Sequence, residues 1–117
     1  MKKDQAVAAL AALAQDNRLD VFRLLVQAGP EGMAAGRVAE ALGLAPNTLT
    51  FHFDRLRDAE LVTVRRDGRL MIYAARFETM NGVLAFLTAN CCQGAPETCG
   101  PNVVCKPARG KRAKVSA

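Results

Sequence analysis

The side chains best equipped for chemistry in this 117-residue chain are four cysteines, Cys91, Cys92, Cys99 and Cys105, in the stretch NCCQGAPETCGPNVVC. Cys91 and Cys92 are adjacent; six residues then lead to Cys99 and five more to Cys105. Gly94, Pro96, Gly100 and Pro101 keep the intervening chain non-helical, so it can fold back and bring Cys99 to the pair. Thiolates are soft ligands and select soft ions. Trivalent arsenic or antimony takes three sulfurs and keeps a lone pair on the fourth side. Zinc or cadmium takes four ligands in tetrahedral array, and Cys105 would be the fourth. Disulfides are the other chemistry open to the set, with three possible pairings. A cytosolic chain keeps its thiols reduced, and neighbours such as Cys91 and Cys92 bridge each other only with strain. Reversible oxidation of the same thiols, as in a redox sensor, is a third use.

Nothing else in the chain is arranged for catalysis. There is one histidine, His52, with no partner carboxylate cluster, and no phosphate-cradling glycine loop. A lone histidine does not make a metal site; His52 reads as a packed or DNA-facing side chain. The chain is therefore expected not to be an enzyme. A thiol protein that sequesters metal through its tail is the competing reading from another functional class.

The elements that must position these cysteines come earlier. Half the residues are hydrophobic, enough for one folded domain with a real core. No run of 18 apolar residues could span a membrane. The start, MKKDQAVAALAALAQDNRLD, is too interrupted by Asp4, Gln5, Asp16 and Asn17 for a secretory signal, and a cytoplasmic location is expected. The net charge is +5, unevenly placed. Eleven acidic residues and eleven of the sixteen Lys and Arg precede position 106, so residues 1–105 are neutral. The last twelve residues carry the whole excess through Lys106, Arg109, Lys111, Arg112 and Lys114. That tail reads as a solvated, disordered end, with salt-dependent contact to DNA phosphates as the functional alternative.

Residues 4–14 predict a short helix with Val7, Leu10 and Leu13 on one side. Asp16 is placed to cap the next helix, residues 17–28. Its Leu19, Val21, Phe22, Leu24, Leu25 and Val26 leave little polar surface, which makes it the central core helix. Gly29-Pro30 ends it, and residues 31–34 read as a loop. A short helix over Ala35 to Leu42 stops at Gly43. The stretch from Ala45 to Val62 then reads as one helix, with Pro46 at the first helical position. Leu49, Phe53 and Leu56 form its apolar stripe; Asn47, Thr50, Phe51, Asp54 and Arg55 lie opposite. Two helices joined by a few residues containing Gly make a helix-turn-helix.

After it, VTVRRDGRLMIYAA predicts a β-hairpin turning at Asp67-Gly68. Arg65, Arg66 and Arg69 lie at its tip, suited to a phosphate backbone or a minor groove. Residues 77–90 return to helical spacing, with Phe77, Met80, Leu84 and Leu87 in one stripe and Val83 and Phe86 beside it. A helix apolar on more than one face predicts a homodimer interface. The fold class expected is mainly α (α+β), with about five helices and one hairpin.

This order of elements, together with two segments, resembles the ArsR-type (ArsR/SmtB) winged-helix repressors over residues 4–90. LAQDNRLDVFRLL, residues 13–25, is similar to the family's LADxTRLxILxLL. Residues 44–73 are similar to its LSQSTVSxHLxxLRxAGLVxxxRxGRxxxY. Two positions depart from the pattern. Ala45 stands where a Ser cap is usual, and Glu60 stands where the family usually has Gly. The resemblance implies a homodimer on double-stranded promoter DNA that is released by a metal or metalloid.

The family's Cys-x-Cys site on the first helix of the motif and its Asp/His zinc site on the last helix are both absent. The Cys-Cys-x6-Cys tail is similar to that of arsenite-responsive members. The resemblance thus implies As(III) or Sb(III) as effector, with Cys91, Cys92 and Cys99 as ligands and Cys105 as a spare; no resident cofactor is required. It divides the chain into a DNA-binding and dimerisation domain (1–90), a cysteine-rich tail (91–105) and a basic tail (106–117). Asn47, Thr48, Thr50 and Phe51 are the candidates for base contacts, and Arg55, Arg65, Arg66 and Arg69 for phosphates. A repressor of the same fold responding to oxidation, zinc or cadmium is the alternative.

Overall fold

Val21, Leu25, Val38, Phe53, Leu56 and Leu61 are shielded almost completely from solvent, and the fold is laid out around them. The computed structural model describes residues 1–91. In order they form α1 (Lys3–Leu13), α2 (Asp16–Ala28), β1 (Met33–Ala34), α3 (Ala35–Leu42), α4 (Pro46–Asp58), β2 (Val62–Asp67), β3 (Leu70–Ala75) and α5 (Phe77–Thr88). Five helices and an antiparallel sheet in strand order β1-β3-β2 make a winged helix-turn-helix, the expected fold class. Residues 2–79 form one compact unit; Met1 and the described chain from Met80 form another.

Within the first unit, α2 carries Val21, Phe22 and Leu25 into the core. Its first turn is capped by Gln15, whose side-chain oxygen accepts from the Arg18 amide at 2.9 Å. Asp16, the expected cap, is instead the first helical residue, because the extended backbone of Gln15 places that side chain over the orphan amides. The face α1 buries is the one formed by its alanines. Ala6, Ala9 and Ala12 are buried, whereas Val7 and Leu10 are exposed. Alanines let α1 approach α2 and α4 closely, and that proximity outweighs burial of the larger side chains. The Arg18 guanidinium reinforces the approach: its Nε donates to the Ala12 carbonyl at 2.6 Å, satisfying an acceptor at the end of α1.

The segment expected as a loop contains a third strand. Met33 pairs with Tyr73 and Ala34 with Ile72. Two residues carry no periodicity, so only the long-range pairing makes them a strand. Gly32 just before it has φ +78°, and a Cβ there would stand 2.3 Å from the Tyr73 carbonyl oxygen; only glycine lets the chain lie this close to β3. In the hairpin, Asp67 pairs with Leu70, so the two loop residues are Gly68 and Arg69, one position later than expected. Gly68 has φ +65°, and Asp67 and Arg69 are not in that region. Positive φ at the first loop residue alone is the sign pattern of a type II′ turn.

The helix expected to run to Val62 ends at Asp58. Ala59 is its C-cap, and Glu60 adopts φ +60°. The Glu60 amide donates to the Arg57 carbonyl at 2.8 Å and the Leu61 amide to the Leu56 carbonyl at 2.9 Å. This is a Schellman motif, which turns the chain so that Leu61 and Val62 enter the core. Thr79 Oγ1 donates to the Glu60 carbonyl at 2.6 Å, holding the turn from the other side.

In the second unit, α5 ends at Thr88 and Asn90 takes φ +59°, a conformation asparagine tolerates. Val83 is buried; Leu84, Phe86 and Leu87 are exposed. No helix among the described residues is long and apolar enough to cross a membrane.

The left-handed backbone at Glu60 costs a side-chain-bearing residue about 1 kcal/mol or more. Glu60→Gly is therefore expected to stabilise the fold by about 0.5–1 kcal/mol, after allowing for glycine's greater unfolded-state entropy. Urea unfolding midpoints of the two proteins check this; a lower midpoint for the variant would show that the Glu60 side chain contributes a contact that outweighs the strain.

Candidate nucleic-acid interface

The α4 helix divides its residues by depth. Leu49, His52, Phe53 and Leu56 are buried. Asn47, Thr48, Thr50, Phe51 and Arg55 are exposed on the other side. The N-cap Ala45 makes no side-chain cap hydrogen bond and there is no acidic residue in the first turn. The helix thus presents open first-turn amides and small polar side chains, a surface compatible with phosphate and base edges. Thr50 Oγ1 donates to the Pro46 carbonyl at 3.0 Å, which commits its proton within the helix and leaves the oxygen able to accept.

Phe51 is 52% exposed, a costly position for a large apolar ring unless something covers it. The Arg55 guanidinium lies over the ring, 5.2 Å from its centroid. These two residues, one turn apart, form a cation–π pair. The pair shields part of the ring and aims the guanidinium along the outward face.

His52 lies behind Phe51, with ring centroids 5.8 Å apart in an edge-on arrangement. It is 5% exposed, and neither ring nitrogen has a hydrogen-bond partner among the described residues. Of the two sequence readings for this residue, the packed one applies. Burial, and secondarily the positive charge of Arg18, push its pKa below the ordinary histidine value. The ring is accordingly neutral at pH 7.

The wing stands on β2 and β3. Arg65, Arg66 and Arg69 are all exposed, and Arg66 Nε donates to the Gly68 carbonyl at 3.2 Å, bracing the tip. Phe53 of α4 stacks on Tyr73 of β3, with centroids 3.6 Å apart and planes within 4°. That contact ties the outward helix to the wing. Between the wing and α3 lies an open notch of about 640 Å³. Ala34, Leu70 and Ile72 line its apolar part, Arg37 and Arg65 its cationic part, and Glu31 contributes a carboxylate. Arg37 carries no signal in sequence, because an exposed arginine on a short helix looks like a solvated one; only the fold sets it opposite Arg65.

Of the thiols, Cys91 is described, half-buried just beyond α5. Cys92, Cys99 and Cys105, and the basic tail from Lys106, lie outside the described residues. Among the described residues no group of three or more His, Cys, Asp or Glu is placed to hold a metal ion.

Residues 13–65 match a family described as a helix-turn-helix domain. The chain is 31% identical over 84 residues to the HTH-type transcriptional regulator YgaV of Escherichia coli (strain K12), covering 72% of this chain and 83% of that one. Among solved structures it is similar to the homodimeric winged helix-turn-helix DNA-binding domain of a possible ArsR-family regulator from Mycobacterium bovis. That likeness has a TM-score of 0.61 and 28% identity, covering 72% of this chain and 75% of the other. It is also similar to reduced HlyU from Vibrio cholerae, with a TM-score of 0.60 and 25% identity over 72% of this chain and 88% of that one.

The buried neutral imidazole makes stability depend on pH with a definite sign. The unfolded chain takes up the His52 proton near pH ~6.5, and the folded chain only at lower pH. The full stability is present above ~6.5 and falls as the pH drops through that window. Wild type is expected to lose urea resistance between pH 7.5 and 5.5 more steeply than His52→Leu. Parallel pH profiles for the two proteins would rule out a neutral buried ring.

Proposed function

The chain belongs to the ArsR-type winged-helix transcriptional regulators, and from that premise we propose a dimeric repressor that binds operator DNA and releases it when As(III) or Sb(III) is taken up by Cys91, Cys92 and Cys99. The observation that carries the DNA-binding part is the exposed half of α4 from Asn47 to Arg55, fixed to an arginine-tipped wing by the Phe53–Tyr73 stack. In each protomer α4 enters a major groove, where Asn47, Thr48, Thr50 and Phe51 meet base edges and the Phe51 ring meets a thymine methyl. Arg55, Arg65, Arg66 and Arg69 hold phosphates on either side. The exposed Leu84, Phe86 and Leu87 of α5 give an apolar face for the second copy, and the M. bovis relative is itself homodimeric. A two-fold dimer places its half-sites about one helical turn, ~34 Å, apart.

The effector part rests on the donor set. Arsenous acid and three thiols condense to a tris-thiolate and three waters, so no oxidant or reductant is needed. Uptake at the end of α5 lowers DNA affinity only if the ligand prefers the low-affinity dimer; ~1–3 kcal/mol of coupling is usual for such switches. A second reading, oxidation of the same thiols as the releasing event, is supported by the likeness to HlyU, whose structure is described in its reduced form.

Gel-shift titration on the protein's own promoter tests both. Arsenite is expected to release the wild type, while Cys92→Ser still binds the operator but is no longer released. Release of that variant by arsenite would remove the site assignment. Release by hydrogen peroxide and not by arsenite would move the function to the redox reading.

A further inference from the structure

We propose that the notch between the wing and α3 seats a phosphate of the operator backbone, held between Arg37 and Arg65; this rests on the DNA-binding reading above. The two arginines come from different elements, α3 and β2, and both line the one notch. Among the described residues neither is engaged in an ion pair or a hydrogen bond. An arginine pair without a carboxylate partner repels itself, and an anion between the two relieves that repulsion.

The apolar residues of the same notch are Ala34, the buried Ile72 and the exposed Leu70. Apolar walls beneath like charges concentrate their field toward the open side. The volume, about 640 Å³, admits a phosphate with its flanking sugar. Arginine also suits the anion, since its planar fork matches two phosphate oxygens at once.

Glu31 is the one group in the notch that works against an anion. Its carboxylate is exposed, so screening weakens the repulsion without abolishing it. That gives the proposal two arms of opposite sign. Removing Arg37 must weaken DNA binding, and neutralising Glu31 must strengthen it. A merely structural role for the notch would move both in the same direction. Because a phosphate contact carries no sequence information, the loss must be the same on operator and on unrelated duplex.

The test is fluorescence anisotropy of a labelled operator duplex and a scrambled one with the full chain, titrated between 50 and 300 mM salt. Arg37→Ala is expected to weaken both by roughly three- to tenfold and to flatten the plot of log K against log salt. Loss of one phosphate per protomer should reduce that slope by about 1.8 for the dimer. Arg37→Lys should restore most of the slope, and Glu31→Gln should tighten binding. Thermal melts establish that the variants are folded.

If wild type binds and Arg37→Ala keeps its affinity and slope, the seat is rejected while the repressor reading stands. Sodium octanoate serves as a probe for the other occupant that the apolar floor suits, a small amphipathic anion. Octanoate-induced shifts in the amide resonances of residues 32–37, with DNA affinity unchanged in Arg37→Ala, would assign the notch to that ligand and overturn the proposal. If wild type binds neither duplex, the DNA-binding reading fails and the seat with it.

Discussion

The Phe53 ring lying flat on Tyr73 joins α4 to the β2–β3 hairpin. Phe53 projects from the inner side of α4 and is 1% exposed. Tyr73 sits on β3, paired on one side with Val64 of β2 and on the other with Met33 of β1. Interiors pack to crystal-like density and do not deform continuously. A rotation or slide of α4 would therefore have to break this stack and empty the sites of Leu49 and Leu56. The outward face of α4 and the hairpin are thus positioned by one shared packing contact. Their spacing is decided in the core, and the surface residues inherit it.

The same helix shows how burial assigns roles. Along α4 each residue that packs inward is apolar except His52, and each that points outward is free to meet a partner. His52 is the exception that the fold tolerates only as a neutral ring. A buried imidazole without hydrogen-bond partners loses hydration without compensation, and the nearby Arg18 charge makes protonation less favourable still. Arg18 is itself held in place because its Nε is committed to the Ala12 carbonyl at the end of α1. One arginine therefore ties α1 to α2 and also adds its charge to the environment of His52 beneath α4. On the outer side, Phe51 and Arg55 resolve the opposite problem, an exposed ring, by covering it with a guanidinium that stays directed at solvent.

Short connections carry the rest of the geometry. The left-handed turn at Glu60 reverses the chain within two residues of α4 and delivers Leu61 and Val62 to the core as β2 begins. Glycine would meet that backbone demand without strain, so this chain accepts a local cost at Glu60. Thr79 and Arg76 grip the same turn through the Glu60 and Leu61 carbonyls. The strain is thus held by hydrogen bonds from the start of α5.

The helix-turn-helix, the hairpin and the apolar helix after it were legible from residue order, because each is specified by local signals. Pro46 and Gly43 punctuate the two helices, the Leu49-Phe53-Leu56 spacing gives the stripe, and an Asp-Gly pair marks the hairpin. What sequence did not decide depends on partners far along the chain. Met33 and Ala34 became a strand only because β3 lies beside them. The Val7-Leu10-Leu13 spacing did not say which face α1 buries; Ala6, Ala9 and Ala12 go inward because α1 approaches its neighbours closely. Gln15 took the cap from Asp16, and the hairpin loop moved one residue on, through backbone angles that composition does not encode. Arg37 and Arg65 come to line one notch only once α3 is packed against the sheet. Periodicity records which residues a single element can bury; which of them it does bury, and what then faces what, is decided by the distances between elements, and those arise only when the chain has closed on itself.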